Sequence, residues 1–373
     1  MVMQSSSASL SNTPYILAIE SSCDDTACAV LAEDGTVLSH LTKTQIEHLP
    51  LGGVVPELAA RAHLQACAPL IEETLLKANV SLEDFHFIAA TIGPGLIGGL
   101  LTGNGIARGL SLSTKIPFIG VNHIEAHILS PLFDLKQEKK SALLTHNKDC
   151  FPYLAFLFSG GHCQCVLVEE IGTYTPLGGT IDDSIGEAFD KVAKMLGLGW
   201  PGGPQIEKLA KLGNPAFFSL PRPLKGREGC DFSFSGLKTA VSKLIEPYNN
   251  TALPLSLVQN IAASFQKAVT DIVEDRARNA LKIALEKNNL KFIATGGGVA
   301  CNSAIRKSLE KIVEEHDLTF LAAPKNLCPD NAIMIGWAAL LRQKWHATPS
   351  SFNDIPRPRW PLKEMKILQN TPE

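Results

Sequence analysis

The sequence predicts an α/β protein made of two related halves. "YILAIESSCDDTACAVLAEDG" (15–35) runs from an apolar strand through a small polar turn into a second strand and a hairpin turn, and "YLAFLFSGGHCQCVLVEEIG" (153–172) repeats that order. Glycine-rich turns join apolar strands to helices in both halves, where open α/β sheets hold anionic ligands. The length of 373 residues, 45% of them hydrophobic, is enough to bury cores for two such domains.

Residues 1–13 are polar and serine-rich, with neither an apolar signal core nor arginines, and are expected to form a disordered tail. The first lobe is expected over 14–132. In it, "FHFIAATIGPGLIGGLLTGNGIARGLSLS" (85–113) reads as strand, glycine turn and helix. "IPFIGVNHIEAHILSPL" (116–132) is a strand leading into a helix that Pro131 ends. The polar segment 133–150 is the expected linker. The second lobe is expected over 151–345, with helical periodicity at 263–289 and strand, glycine turn and helix at 291–313. A last strand, an acidic loop and a long apolar helix occupy 318–343. Residues 346–373 are expected to pack back on the fold as a tail.

Net charge is −3, so any nucleic-acid contact must use local patches or a partner. No run of about 18 apolar residues is present, and no membrane span is expected. The nine cysteines are odd in number and lack paired C-x-x-C spacing, which points to a reduced, intracellular protein. Cys163 and Cys165 alternate along an expected strand, as small core residues do.

His123 and His127 stand four apart, about 40° from each other around a helix, a spacing at which two imidazoles can grip one ion. A histidine pair alone more often serves structure. The zinc-protease signature H-E-x-x-H places its glutamate directly after the first histidine, whereas Glu125 points away from the histidine face. "LCPDNA" puts Asp330 before a helix, where capping is the default role. If Asp330 faced the histidines, the three would form a two-histidine, one-carboxylate site.

"SGGH" (159–162) is an ordinary hairpin turn or a nest of exposed backbone N–H groups. "ATGGGVACNSAIR" (294–306) is the stronger phosphate cradle, with Asn302 in position to meet a ribose or base edge. It fails the G-x-G-x-x-G spacing and lacks a P-loop Lys-Ser/Thr. Asp190 lies between Phe189 and Val192 on an amphipathic helix and suits ribose hydroxyls, with Gly203 giving flat access to a base. Asp24 and Asp25 fall in the first hairpin turn, where Asp is common for turn reasons alone. Arg222, Lys225, Arg227 and Lys238 interleave with Phe232 and Phe234, which fits either an RNA-binding loop or a solvated loop over a buried Phe pair.

Taken in order, "IESSCDDT", "GPGLIGGLLTG", "NHIEAH", "SGGHCQ", "DDSIGEAFDKVAKMLG", "PGGP", "DFSFSGLKTA", "ATGGGVACN" and "CPDNAIMIGWA" resemble the universal tRNA threonylcarbamoyladenosine transferase family over roughly residues 14–362. "SGGH" and "PRPRWPL" are closer to its bacterial and organellar branch. The resemblance implies a two-lobed actin, sugar-kinase and Hsp70-like fold with duplicated mixed sheets. It implies an acyltransferase that moves threonylcarbamoyl from threonylcarbamoyl-AMP to N6 of the adenosine beside the anticodon. The tRNAs concerned read codons that begin with A.

By the same resemblance, His123, His127 and Asp330 bind one divalent metal ion per subunit, iron or zinc. Leu157, Phe158, Ser159, Gly160, Gly161, Asp190, Gly203 and Asn302 contact the adenylate, and Asp24 is catalytic. The implied partners are tRNA, a shorter paralogous subunit and a small ATPase, with a homodimer as the organellar arrangement; the implied setting is the bacterial cytoplasm, ahead of an organelle. The family often has Glu where Asp25 stands and Thr where Cys163 stands, and the 133–150 linker is longer than usual. The rival readings are a metalloprotease, a small-molecule kinase of the same fold and a scaffold without turnover. Proteolysis with and without chelator, ATP-dependent phosphorylation, and the activity of a His123→Ala variant in cells distinguish them.

Overall fold

The structure is a computed structural model that describes residues 14–51, 53–135, 137–145, 148–248, 251–345 and 350–365. The tail expected at 1–13 lies outside the described residues, as do parts of 133–150 and 346–373.

The first half opens with β1 (Tyr15–Glu20), β2 (Asp25–Ala32) and β3 (Val37–Thr44), followed by α1 (Pro56–Ala78), β4 (Phe85–Gly93), α2 (Ile97–Thr114) and β5 (Phe118–Asn122). Its sheet runs β3-β2-β1-β4-β5. β1 pairs antiparallel with β2 and parallel with β4. Ile16, Leu17, Ala18 and Ile19 are all buried, as a central strand covered on both faces requires. α3 (His123–Leu129) and α4 (Gln137–Leu144) lead to the second half.

The second half repeats the plan with β6 (Tyr153–Phe158), β7 (Cys163–Glu170) and β8 (Thr173–Gly179). The helices α5 (Ile185–Met195), α6 (Gly202–Ala210), α7 (Ser235–Ile245) and α8 (Leu255–Lys287) precede β9 (Phe292–Gly296). Then come α9 (Ser303–Glu314), β10 (Thr319–Ala322) and α10 (Ala332–Lys344). The order β10-β9-β6-β7-β8 is the first sheet read from its other edge, with the same parallel and antiparallel pairings. The repeat at 15–35 and 153–172 is therefore a duplicated hairpin, β1-β2 and β6-β7.

The helix that follows the last strand of each half crosses toward the other half. α10 is apolar on every side, with Ala332 through Leu341 buried, and it packs against β1 and β2 of the first sheet. Gly336 lets it approach, because a Cβ there would lie 2.6 Å from Leu31 Cδ1. α3 packs against β5, β6 and β9, and against α10 itself. Described residues of the tail return to the first half: the Arg357 N–H donates to the Ile92 carbonyl at 2.7 Å, and the Trp360 carbonyl accepts from Asn122 Nδ2 at 3.0 Å.

Candidate metal and adenylate site

Asn122 starts α3 by capping it, its Oδ1 accepting from the N–H groups of Ile124 at 2.9 Å and Glu125 at 3.2 Å. The helix therefore begins at His123, and one turn later His127 shares its face, with ring centroids 4.6 Å apart. At the start of α10, Asn331 and not Asp330 is the cap, accepting from Met334 N–H at 2.9 Å. Asn331 Nδ2 also donates to the Leu327 and Pro329 carbonyls at 3.1 and 2.8 Å, which closes the loop. Asp330 is thereby free to face the histidines. Its Oδ1 lies 3.0 Å from His127 Nε2 and 3.5 Å from His123 Nε2.

These three residues offer one ligand atom each within 4.8 Å of one another. Zinc-to-nitrogen or zinc-to-oxygen bonds of about 2.0–2.2 Å in a tetrahedron set ligand atoms roughly 3.3 Å apart, close to the separations from Asp330. The far side of His123 is already held: its Nδ1 lies 3.1 Å from Ser22 Oγ and 3.2 Å from Glu20 Oε2. That leaves Nε2 to ligate, the usual division of labour for a metal-bound imidazole. The residues fit a divalent metal.

Burial opposes charge on His123, but Asp330 and then Glu20 outweigh it and push its pKa up to about 10. Burial also opposes charge on Asp330, yet the two imidazoles hold its carboxyl well below the carboxylate range. His127 is lowered, chiefly by burial. His162, whose ring centroid is 6.2 Å from that of His123, is pushed down to about 4 by burial and then by the two histidines. His162 and Glu20 join this cluster without having been singled out from the sequence. The only signal for Glu20 was a carboxylate ending an apolar strand.

Two glycine loops abut the histidines. In "SGGH", the Ser159 N–H donates to the His162 carbonyl at 2.8 Å and the His162 N–H to Ser159 Oγ at 3.0 Å, while a Cβ on Gly160 or Gly161 would meet nothing. After β9, Gly297 has φ +87° and a Cβ there would strike the Phe158 carbonyl at 2.5 Å, so glycine is required. A Cβ on Gly296 would lie 2.5 Å from the His127 carbonyl. The loop after β9 thus sits against the histidine helix, His162 brings the other loop beside His123, and Gly160, Gly161 and Gly298 are left open. The glycines of α2 do something else: a Cβ on Gly99 or Gly103 would lie 2.2 Å from the Ser21 carbonyl oxygen or 2.1 Å from Ser21 Oγ, so they serve close packing.

The side chains of Leu157 and Phe158 are fully buried and offer only backbone. Asp190 Oδ1 accepts from the Gly202 N–H at 2.7 Å, and burial raises its carboxyl. The space over Gly203 is open. Asn302 caps α9, accepting from Ala304 N–H at 3.0 Å and Ile305 N–H at 3.2 Å, and its Nδ2 donates to Gln266 Oε1 at 3.0 Å. One amide hydrogen of Asn302 is left for a ligand.

Asp24 sits half-buried in the β1–β2 turn. Gln45 N–H binds its carbonyl at 3.1 Å, and His63 Nε2 donates to the Cys23 carbonyl at 3.0 Å. Asp25 Oδ1 is buried without a hydrogen-bond partner. Burial, against a Thr44 hydrogen bond and with help from Asp24, pushes the Asp25 carboxyl up to about 6. Phe232 and Phe234 are fully buried, as the buried Phe pair alternative has it, so no aromatic there stacks on a base and only the loop's cations face outward. Of the four basic residues, Arg222 pairs with Asp271 while Lys225, Arg227 and Lys238 are exposed.

Glu125 is fully buried away from the site, accepting from Tyr174 OH at 2.6 Å and from Arg342 Nη1 at 3.1 Å. It cannot serve as the base of a protease.

The family model for tRNA N6-adenosine threonylcarbamoyltransferase matches residues 36–337. An enzyme of that name from Gluconobacter oxydans is 54% identical over 357 residues, 94% of each chain. Another from Granulibacter bethesdensis is 52% identical over 359 residues, covering 95% of this chain and 96% of its own. Among solved structures, T. kodakarensis HypF aligns with 90% of this chain and 49% of its own, at a TM-score of 0.55 and 15% identity. That likeness is one of fold alone, and the duplicated architecture is the actin, sugar-kinase and Hsp70-like one. With nearly the whole chain matched at this identity, the protein belongs to the tRNA N6-adenosine threonylcarbamoyltransferase family.

Proposed function

We propose that this chain transfers the threonylcarbamoyl group from threonylcarbamoyl-AMP to N6 of the adenosine beside the anticodon, releasing AMP. The tRNAs are those reading codons that begin with A. The observation that carries this reading is the convergence of His123, His127 and Asp330 beside two open glycine loops, in a chain 54% identical to a transferase of that name.

His123, His127 and Asp330 would hold iron or zinc, which when bound supplies a Lewis acid that polarises a carbonyl. The chain's own residues do the rest. Backbone N–H groups of the "SGGH" and "TGGGV" loops bind the phosphate and take up charge as AMP departs. Asp190 and the open face at Gly203 receive the ribose and base, and Asn302 offers its remaining amide hydrogen. A bond forms between N6 and the carbonyl carbon, the carbonyl–phosphate oxygen bond breaks, and the amine proton passes to Asp24. Burial of the histidines excludes water that would hydrolyse the donor.

The Asp24 role is tested by single-turnover transfer to unmodified tRNA. Asp24→Ala is expected to slow the step by about 10²–10⁴-fold, and an unchanged rate refutes the assignment.

Ile97, Leu101 and Leu112 form one exposed stripe on α2, at 46%, 55% and 65% exposure. That stripe supports docking of a shorter paralogous subunit; a small ATPase and, alternatively, a homodimer complete the proposed partners. The tRNA is held by exposed cations such as Lys225, Arg227 and Lys238. No helix among the described residues is long and apolar enough to cross a membrane. Similarity to bacterial tRNA-modifying enzymes supports placing the reaction in the cytoplasm.

A further inference from the structure

Two cysteines that the transfer chemistry does not use meet between the loops that build the site. Cys301 ends the short turn Gly298–Cys301 after β9, and Cys328 lies two residues before Asp330. The Cys301 and Cys328 side chains are in contact with each other. Cys301 Sγ is 3.9 Å from the Lys325 carbonyl, and Cys328 Sγ is 3.4 Å from the Ala323 carbonyl and 3.7 Å from Arg306 Nη2. The Arg306 guanidinium also donates to the Ala300 carbonyl at 2.5 Å and the Ala323 carbonyl at 3.2 Å, so one cation fastens both strands of chain around the sulfurs.

Access separates this pair from the other sulfurs. Cys165 and Cys230 also touch, but both are fully buried. Cys23 is half-buried beside the Asp24 carboxylate, and burial and that charge push its thiol up. Cys301 is partly exposed, with its partner buried behind it, the arrangement of an attacking thiol and a resolving one.

We propose that Cys301 and Cys328 are a reversible redox pair, oxidised by a hydroperoxide to an intramolecular disulfide that ties the glycine loop to the Asp330 loop. The Cys301 sulfur attacks a peroxide oxygen; an S–O bond forms, the O–O bond breaks and water leaves, giving a sulfenic acid. The Cys328 sulfur then displaces that oxygen as a second water. Two thiols give up two electrons and two protons, and one hydrogen peroxide becomes two waters. In support, contact with Cys328 and the nearby Arg306 and Lys325 cations lower the Cys301 thiol against burial, and the Arg306 guanidinium stands 3.7 Å from Cys328 Sγ.

A disulfide holds its sulfurs ~2.05 Å apart, well inside a thiol–thiol contact, so closure draws the two loops together. A misplacement of about 1 Å can cost 10²-fold in rate, so oxidation is expected to lower transfer at least 10-fold until a dithiol reductant restores it. This last consequence rests on the proposed function; the disulfide does not.

The test is peptide mapping of the full-length protein after brief treatment with hydrogen peroxide and alkylation of the remaining thiols. The expected product joins the Cys301 and Cys328 peptides, lighter by two hydrogens, and disappears on reduction. Cys301→Ser is expected to transfer normally before treatment and to resist peroxide. Cys328→Ser is expected to trap Cys301 without the cross-link, and thermal unfolding confirms that each variant is folded. Recovery of wild-type Cys301 as sulfenic or sulfinic acid with Cys328 still free overturns the proposal, as does a disulfide to any other cysteine. A protein that cross-links as expected but never transfers refutes the functional reading and leaves the redox pair standing.

Discussion

Glu20 ends β1 fully buried, and three groups bind it: Ser22 N–H at 2.6 Å, the Thr91 hydroxyl at 2.5 Å and His123 Nδ1 at 3.2 Å. Such a carboxylate fixes the orientation of the imidazole whose other nitrogen faces Asp330. Glu20→Gln is expected to weaken metal binding by about 10–100-fold, read by titration against a metal buffer; an unchanged affinity would contradict the orienting role. Asp25 makes a different case. Its carboxyl is raised to about 6 by burial, so its contribution to stability is present below the unfolded carboxylate pKa and lost as pH rises toward and through 6. At pH 7.5 the charged form is a cost, which Asp25→Asn removes. The variant is expected to be more stable by about 1–2 kcal/mol at pH 7.5 and indistinguishable from wild type near pH 4, measured by denaturant unfolding. A gain that persists at pH 4 would locate the effect in packing and not in charge.

At the scale of elements, α3 and α10 carry the site, and one buried ion pair joins them. Glu125 and Arg342 lie 3.1 Å apart, with the Tyr174 hydroxyl adding β8 to the contact. Removing one partner strands the other charge. Glu125→Ala is expected to cost about 3 kcal/mol, a fall of roughly 4 °C in Tm, with transfer per folded molecule retained. A loss of transfer without a loss of stability would return Glu125 to the chemistry.

The spacing of His123 and His127 was readable because helical geometry alone sets it. The facing of Asp330 was not, since it depends on Asn331 taking the cap and on α10 crossing to the first sheet. Asn302 illustrates the converse: its position after the glycines suggested a ligand contact, and capping of α9 engages most of its amide. The glycines of 93–103 look like those of 294–298 in sequence. Only packing distances separate a helix seated on Ser21 from a loop left open.

At the scale of the molecule, the duplication explains where the site lies. Each half ends in a strand followed by an asparagine-capped helix, α3 after β5 and α10 after β10, and these two equivalent helices pack on each other. The histidines come from the first turns of one, and Asp330 stands just before the capping asparagine of the other. A relative movement of the halves would therefore alter the ligand set and the glycine loops together. The repeated strand, turn and strand pattern made the two halves visible in the sequence, because alternation and turn residues are local. The exchange of terminal helices was not visible, since an apolar helix gives no sign of which sheet it will cover.

The most direct test of this account is single-turnover transfer from threonylcarbamoyl-AMP to unmodified tRNA, with bound metal counted on the same samples of wild type and Asp330→Ala. The expected result is one iron or zinc per wild-type chain with N6-threonylcarbamoyladenosine formed, and loss of both in the variant. Full transfer by a metal-free Asp330→Ala protein would contradict it.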